Sequence, residues 1–387
     1  MKVSAVRFAV LAAIALLAAM LAACGTDDIP ATQGPVATPV PTPMVDLIEP
    51  TATAVAQAAS STATPRPAPT ATPDPAARIT AQLQGVPGIV DATNLGWPRQ
   101  ARGLNGVIEI PAKPLRIITA SVGHDEVVLA LVPDERLVAV GNATKSETFS
   151  NVAAHTQDKP EITRDPETII AHEPDVVVTS PFFTADLVEA LDGVGIPTIQ
   201  TQLEQDPEAR LNNILLIGYI LGEEERALAF REEVRERYEA VVRVTVQKEQ
   251  RPRVLAVTSY GDDLWVAGDG STEGGVIEAA GGLNAAADAG VQGNQTTGLE
   301  GLIAMNPEII IIPQPIEFGA EEFRQRLLTE EALTETPAIT QNRVYIVDGK
   351  HFTTLSHWNI RGAEDLARIL WPNDFPDPPA DSFSLTE

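Results

Sequence analysis

Between residues 206 and 250 the apolar positions recur with a helical period. Leu211, Ile214, Leu215, Gly218 and Leu221 fall three or four apart, which predicts one apolar helix face. Asp206 suits the N-cap and Pro207 the first helical position, while Gly222 suits the left-handed residue just past the end. A second helix is predicted to open on Glu223, Glu224 and Glu225, where the macrodipole favours negative charge; Arg243 and Lys248 suit its other pole. Its apolar stripe is Ala227, Phe230, Val234, Tyr238, Val241 and Val242. At about 1.5 Å per residue, 223–248 would span roughly 39 Å, the length of a whole lobe. A rod of that length at mid-chain reads as a connector.

On both sides of it, short apolar runs alternate with helical segments. Strands are predicted at 116–120, 137–141, 174–180 and 196–199, with helices at 124–131, 165–171 and 185–191 between them. After the rod come strands at 253–257, 264–268, 308–313 and 344–348, and helices at 276–280 and 361–370. Strands apolar on both faces predict parallel sheets covered by helices. Ile-Ile-Ala-His-Glu-Pro-Asp-Val-Val-Val (169–178) and Leu-Ile-Ala-Met-Asn-Pro-Glu-Ile-Ile-Ile-Ile (302–312) share one pattern of helix, proline, acid and strand. The expected fold is therefore α/β: two Rossmann-like lobes with central parallel sheets, joined by one long rigid connecting helix, with a ligand cleft between them. The lobes are expected at 78–205 and 251–372, with connecting helices at 206–250 and a loose tail at 373–387. A hairpin is expected within 90–114. Ligands of open parallel sheets gather beyond the carboxyl ends of the strands. That selects 121–126, 142–151 and 180–184 in the first lobe, and 259–263, 314–318 and 349–358 in the second.

The first 77 residues change the picture differently. Lys2 and Arg7 precede an apolar run from Phe8 to Met20, too short for a comfortable membrane span and laid out like a secretory leader (1–23). Leu-Ala-Ala-Cys at 21–24 resembles a lipoprotein processing box, which makes Cys24 the expected lipid attachment point and places the protein outside the cytoplasm, anchored to the membrane. Cys24 is the only cysteine, so one chain forms no disulfide. The Pro/Thr/Ala-rich stretch 24–77 reads as a disordered, semi-rigid tether. A net charge of −26 argues against nucleic acid as a partner.

The ordered set of segments resembles the ABC-importer substrate-binding lipoproteins of the helical-backbone class, which capture ferric siderophores, cobalamin or haem. The segments are V-D-A-T with I-P-A-K-P-L-R-I-I (90–118), H-D-E-V-V-L-A-L (124–131), D-P-E-T-I-I-A-H-E-P-D-V-V-V (165–178) and G-Y-I-L-G-E-E-E-R-A (218–227). V-I-E-A-A-G-G-L-N (276–284), L-I-A-M-N-P-E-I-I-I-I (302–312) and N-R-V-Y-I-V-D (342–348) complete it. The departure is 94–105, where this chain carries extra residues including Trp97-Pro98. The resemblance implies a monomeric, non-enzymatic receptor that takes an iron chelate or related bulky metal compound to a membrane permease. The metal would arrive with the cargo, and no resident cofactor is implied. Carboxylates from each lobe dock on the permease in this class; here Asp186 and Glu189 in the first lobe, and Glu317, Glu321 or Glu322 in the second, are the candidates. Haem, cobalamin and a bare zinc or manganese ion are alternative cargoes, and a tethered adhesion or scaffold lipoprotein is the alternative outside transport.

Candidate ligand contacts follow from the strand-end segments. His124 opens a helix at the expected cleft mouth. Phe182, beside Phe183, offers apolar wall. Tyr260 follows a strand directly and suits stacking on a planar ligand or ligation of haem iron. Trp265 suits either wall or core. His351, His357 and Trp358 lie on a late loop expected to face the cleft. A bare metal ion would need His124, His351 and His357 to converge. No Gly-x-Ser-x-Gly or phosphate-cradling loop points to an enzyme.

Overall fold

The computed structural model describes residues 74–383 except 182, 203–205 and 262. Cys24, the leader and nearly all of the expected tether lie outside the described residues, as does Phe182. Folded structure begins earlier than expected. Asp74 caps helix α1 (Pro75–Leu83), whose Ile79 and Leu83 are buried, so 75–77 belong to the fold rather than to the tether.

The hairpin β1 (Arg99–Gly103) and β2 (Gly106–Ile110) precedes a wholly parallel sheet. Its strands are β3 (Ile117–Ile118), β4 (Leu137–Gly141), β5 (Glu161–Ile162), β6 (Val176–Thr179) and β7 (Thr198–Gln200), in the order β5-β4-β3-β6-β7. Helix α2 (Val122–Leu131) follows β3, α3 (Pro166–Ile170) precedes β6, and α4 (Ala185–Gly193) follows it. The apolar strands are buried because helices cover both faces of the sheet.

The predicted rod is two helices, α5 (Pro207–Leu221) and α6 (Glu224–Thr245), with Gly222 between them at φ 70°. Helix α5 is buried nearly all round and belongs to the first lobe's core, so the connector proper is α6, about 33 Å of helix. A Cβ on Gly218 would stand 2.2 Å from the Ala227 Cβ, so glycine lets the two helices meet at their turn.

The extra residues 94–105 have a structural role at that turn. The Arg99 guanidinium, 1% exposed, lies between the rings of Trp97 and Tyr219 at 4.0 and 4.7 Å. It donates to the carbonyls of Leu95 (2.6 Å), Gly96 (3.0 Å) and Tyr219 and pairs with Glu224. Arg136 and Lys113 both hold Glu223. Buried charge is tolerated here because the guanidinium's donors find partners.

The second sheet holds β8 (Arg253–Tyr260), β9 (Asp263–Ala267), β10 (Leu283–Asn284), β11 (Asn294–Thr297), β12 (Ile309–Ile312) and β13 (Val344–Ile346). Helix α7 (Thr272–Ala279) follows β9, α8 (Leu299–Met305) precedes β12, α9 (Ala320–Thr329) follows it, and α10 (Asn359–Leu370) closes the lobe. The order is β11-β9-β8-β12-β13, with β10 also beside β8. This sheet has the expected parallel centre and carries two further strands, β9 and β11, on its edge. Its β8–β12–β13 and β8–β10 pairs are parallel, but β8–β9 and β9–β11 are antiparallel because Tyr260 to Asp263 forms a tight hairpin.

The tail is also corrected. Phe383 is fully buried against Phe230, His357 and Trp358, and Arg237 lies 4.3 Å over its ring. Arg361 donates to the carbonyls of Pro379 (2.8 Å) and Ala380 (2.6 Å). An aromatic anchor and two arginines therefore hold a segment whose Asp and Pro content predicts a loose chain. Arg237 also pairs with Glu364 (2.8 Å), and the Tyr238 hydroxyl links Arg210 of α5 (2.9 Å) to Asn359 of α10 (3.0 Å). Both lobes are thus fastened to α6.

Candidate functional site

Between the lobes lies a cavity of about 370 Å³, within the range of small-molecule sites. The β8–β9 hairpin gives the largest single share of its wall. Side chains two apart on a strand share a face, so Ala256, Thr258 and Tyr260 project together, and Trp265, opposite Thr258, and Ala267 continue that wall on β9. Asn294, opposite Ala267, extends it onto β11. Pro313, Pro315, Lys350, Thr353 and Leu355 complete the second-lobe side; the first lobe contributes Thr148 and Phe149.

The opening is bridged. The Phe149 and Phe318 rings stack at 5.8 Å, and Thr148 Oγ1 donates to Glu317 at 2.6 Å. Deeper in, Glu126 of α2 is fully buried and accepts from Asn151 N (2.8 Å) and Nδ2 (2.9 Å), Thr354 Oγ1 (2.9 Å) and Ser356 Oγ. Burial pushes its carboxyl up, and these donors oppose that. Thr354 and Ser356 belong to the second lobe, so this cluster is a polar joint between lobes.

Two charged groups line the cavity. Lys350 has Asp348 at 3.7 Å. Glu273, in the first turn of α7, is half-buried and has no side-chain partner among the described residues. Burial pushes its carboxyl up to about 7. Burial also raises Tyr260, with the nearby Glu273 adding to the shift, so the phenol is held protonated.

The predicted contacts divide sharply. Tyr260 and Trp265 line the cavity. His124 does not; it is fully buried, its Nε2 2.7 Å from Thr201 Oγ1 and its Nδ1 3.1 Å from Ser121 Oγ. The helix after a central strand starts inside the lobe, so the first turn of α2 is core rather than mouth. His357 and Trp358 are buried against Phe230 and Phe383, on the side of α6. Burial lowers both His124 and His357 to about 3, which keeps them neutral. His351 stacks on Trp358 and faces Asp365 at 3.6 Å. Among the described residues no three His, Cys, Asp or Glu side chains gather to hold a metal ion. Phe183, beside the undescribed Phe182, packs in the first lobe's core.

Asp186 and Glu189 are exposed on α4, and Glu321 on α9, where Gln325 donates to it at 2.8 Å. Glu317 is engaged at the cleft mouth. Phe149, Glu273 and Asn294 were missed. Phe149 lies in a strand-end segment already picked out, but nothing local distinguishes it there; Glu273 shows only as an acid after the helix-capping Ser271.

Residues 117–350 match the family model described as periplasmic binding protein. An uncharacterised ABC transporter substrate-binding lipoprotein of Bacillus subtilis (strain 168), YvrC, is 23% identical over 280 residues, covering 70% of this chain and 85% of the relative. Among solved structures, the periplasmic heme-binding protein RhuT from Roseiflexus sp. RS-1 in apo form is similar at a TM-score of 0.58 and 22% identity, over 67% of this chain and 98% of that one. The periplasmic heme-binding protein HutB of Vibrio cholerae gives 0.58 and 23%, over 67% and 99%. The molybdate-binding MolA of Haemophilus influenzae gives 0.60 and 17%, over 72% and 93%. No helix among the described residues is long and apolar enough to cross a membrane.

Proposed function

We propose a cargo and a delivery route from one premise: the chain belongs to the periplasmic binding protein family. It is the substrate-binding component of an ABC transporter, an extracytoplasmic protein that binds a small ligand without turning it over and hands it to membrane permease subunits. The cargo is a bulky iron chelate with apolar or flat faces. The observation that carries this is the interlobe cavity walled by Tyr260, Trp265 and Phe149, with one lysine already neighboured by an acid. Such walls offer stacking and apolar contact, and little for a strongly anionic ligand.

Haem is the second reading. Tyr260 is the observation for it, since a tyrosine oxygen is an axial ligand type for haem iron and this one borders the cavity, although its raised phenol would have to give up its proton to the iron; RhuT and HutB are heme-binding proteins. The receptor works as a monomer, held near its permease by a lipid on Cys24. Asp186 and Glu189 on α4 and Glu321 on α9 form the docking pair of patches: each helix follows the corresponding strand, β6 or β12, in its own lobe.

Thermal unfolding of the protein with ferric hydroxamate and catecholate siderophores, haem and cobalamin tests this reading. A ligand at a hundred times its dissociation constant adds about 2.7 kcal/mol, which raises the midpoint by about 2–4 °C at this size. A shift with an iron chelate supports it; no shift with any of them overturns it.

A further inference from the structure

We propose that the cleft selects its cargo by charge, taking metal chelates that carry a cationic or hydrogen-bond-donating arm and rejecting anionic ones, with Glu273 receiving that arm. This rests on the interlobe cavity being the cargo site.

The charges around the opening are unbalanced. Glu273 lines the cavity, and Glu147, Glu317 and Asp348 line the adjoining recess that shares Thr148, Pro315, Gly349 and Lys350 with it. Against these four acids stands Lys350, with Asp348 at 3.7 Å. A cleft lined by one sign of charge between low-dielectric walls focuses its field on whatever enters. The whole chain carries −26, so distant charge reinforces the same sign.

The four acids are not equivalent. Glu317 already accepts from Thr148, and Asp348 caps the following turn through Lys350 N (3.2 Å). Glu147 and Glu273 have no side-chain partner among the described residues, and of the two only Glu273 lines the cavity itself, beside Thr272, Tyr260 and Trp265. Burial pushes this carboxyl up to about 7, opposed only by a hydrogen bond from its own backbone N–H, so the side chain lacks a charged or side-chain partner for its ionised form. An ammonium or amide arm arriving beside it supplies the missing partner. A carboxylate or catecholate arm would meet the ionised form of Glu273 as a like charge, whereas an ammonium arm favours that form.

The test uses two scaffolds, each matched except in charge, titrated into the full chain by tryptophan fluorescence. One is a ferric trihydroxamate with a terminal ammonium, the same chelate N-acetylated, and the same chelate N-succinylated. The other is iron protoporphyrin with free propionates, and with both converted to aminoethyl amides. On whichever scaffold binds, the cationic member should bind about ten-fold tighter than its neutral or anionic counterpart, about 1.4 kcal/mol. Glu273→Gln, which keeps the shape, should bring the members of a set to within about two-fold of each other by weakening the cationic one. Asn294→Asp, a second carboxylate on the same wall, should widen the preference. Binding indifferent to charge, or a preference that survives Glu273→Gln, overturns the inference and leaves the cargo reading standing. Binding of neither scaffold overturns the inference, and the cargo reading falls with it only if the thermal-unfolding panel, catecholates included, also shows no shift.

Discussion

In the first lobe the central strand, β3, is two residues long, and the chain turns at once into α2; in the second, β8 occupies the same place in the strand order and runs for eight. The extra length pairs with β9 rather than with a parallel neighbour, and that hairpin forms one wall of the cavity. A buried carboxylate on α2 and a second carboxylate in the first turn of α7 differ in the same sense. Glu126 on α2 is sealed by four donors, two of them from the other lobe. Glu273 on α7 faces the cavity with no such partner. The first lobe's carboxylate holds the two halves together with donors from both, and the second lobe's carboxylate is left facing the cavity.

Perturbing the first lobe's clamp should have the largest effect. Arg99→Ala leaves Glu224 and several carbonyls without their buried donor, and about 3–5 kcal/mol of stability should be lost in denaturant unfolding. Retention of wild-type stability would remove the anchoring role given to 94–105.

Acid should come next, through one histidine in each lobe. Folding lowers His124 and His357 from 6.5 to about 3, so the unfolded chain binds more protons between those values. Each therefore costs about 1.4 kcal/mol of stability per pH unit as pH falls through that window. Asp125, raised by burial to about 7, works the other way: its protonation favours the fold as pH falls towards 3.8. Stability of wild type and His357→Phe, measured from pH 6.5 to 4, isolates one contribution. The variant should show the shallower acid slope, and parallel slopes would contradict a buried neutral imidazole.

In the second lobe the effect should appear on binding instead. Tyr260→Ala should weaken a bound iron chelate by roughly ten- to a hundredfold, the loss of one stacking wall of about 1–3 kcal/mol. Unliganded stability should change less, because Tyr260 stands at the hairpin's end and is incompletely buried. The smallest effect should come from the joint. Glu126→Gln keeps the shape but loses charge-assisted bonds, about 1–2 kcal/mol. X-ray scattering of the unliganded protein should show a slightly larger radius of gyration; an unchanged profile would leave Glu126 a structural residue of one lobe.

Local signals were legible. The Asp206 cap, Pro207 and the left-handed Gly222 fall where the sequence pattern places them, and so does the recurrence that ends in β6 and β12. What could not be read is non-local. Arg99 meets Glu224, 125 positions away, and the extra hairpin residues have no visible purpose without that partner. The Gly261 turn between β8 and β9 is a hairpin signal, yet two apolar runs in an α/β context read as parallel strands. His124, His357 and Trp358 look like loop and helix-start residues by position, and only packing against α6 or inside the first lobe makes them core. Tyr260 falls beside the cavity because a strand end is a physical location that sequence order specifies; Trp265, inside β9, reaches the same wall only through the hairpin. Glu273 was not legible, because what distinguishes it is the partner it lacks.

Hydrogen exchange of the full chain with and without a saturating iron chelate tests the central claim most directly. Protection should rise at 147–151 in the first lobe and at Tyr260 and Asp263–Ala267 in the second, and α10 around His357 and Trp358 should stay unchanged. Protection confined to α10 and the tail, with the β8–β9 hairpin unaffected, would place the ligand elsewhere and contradict the account.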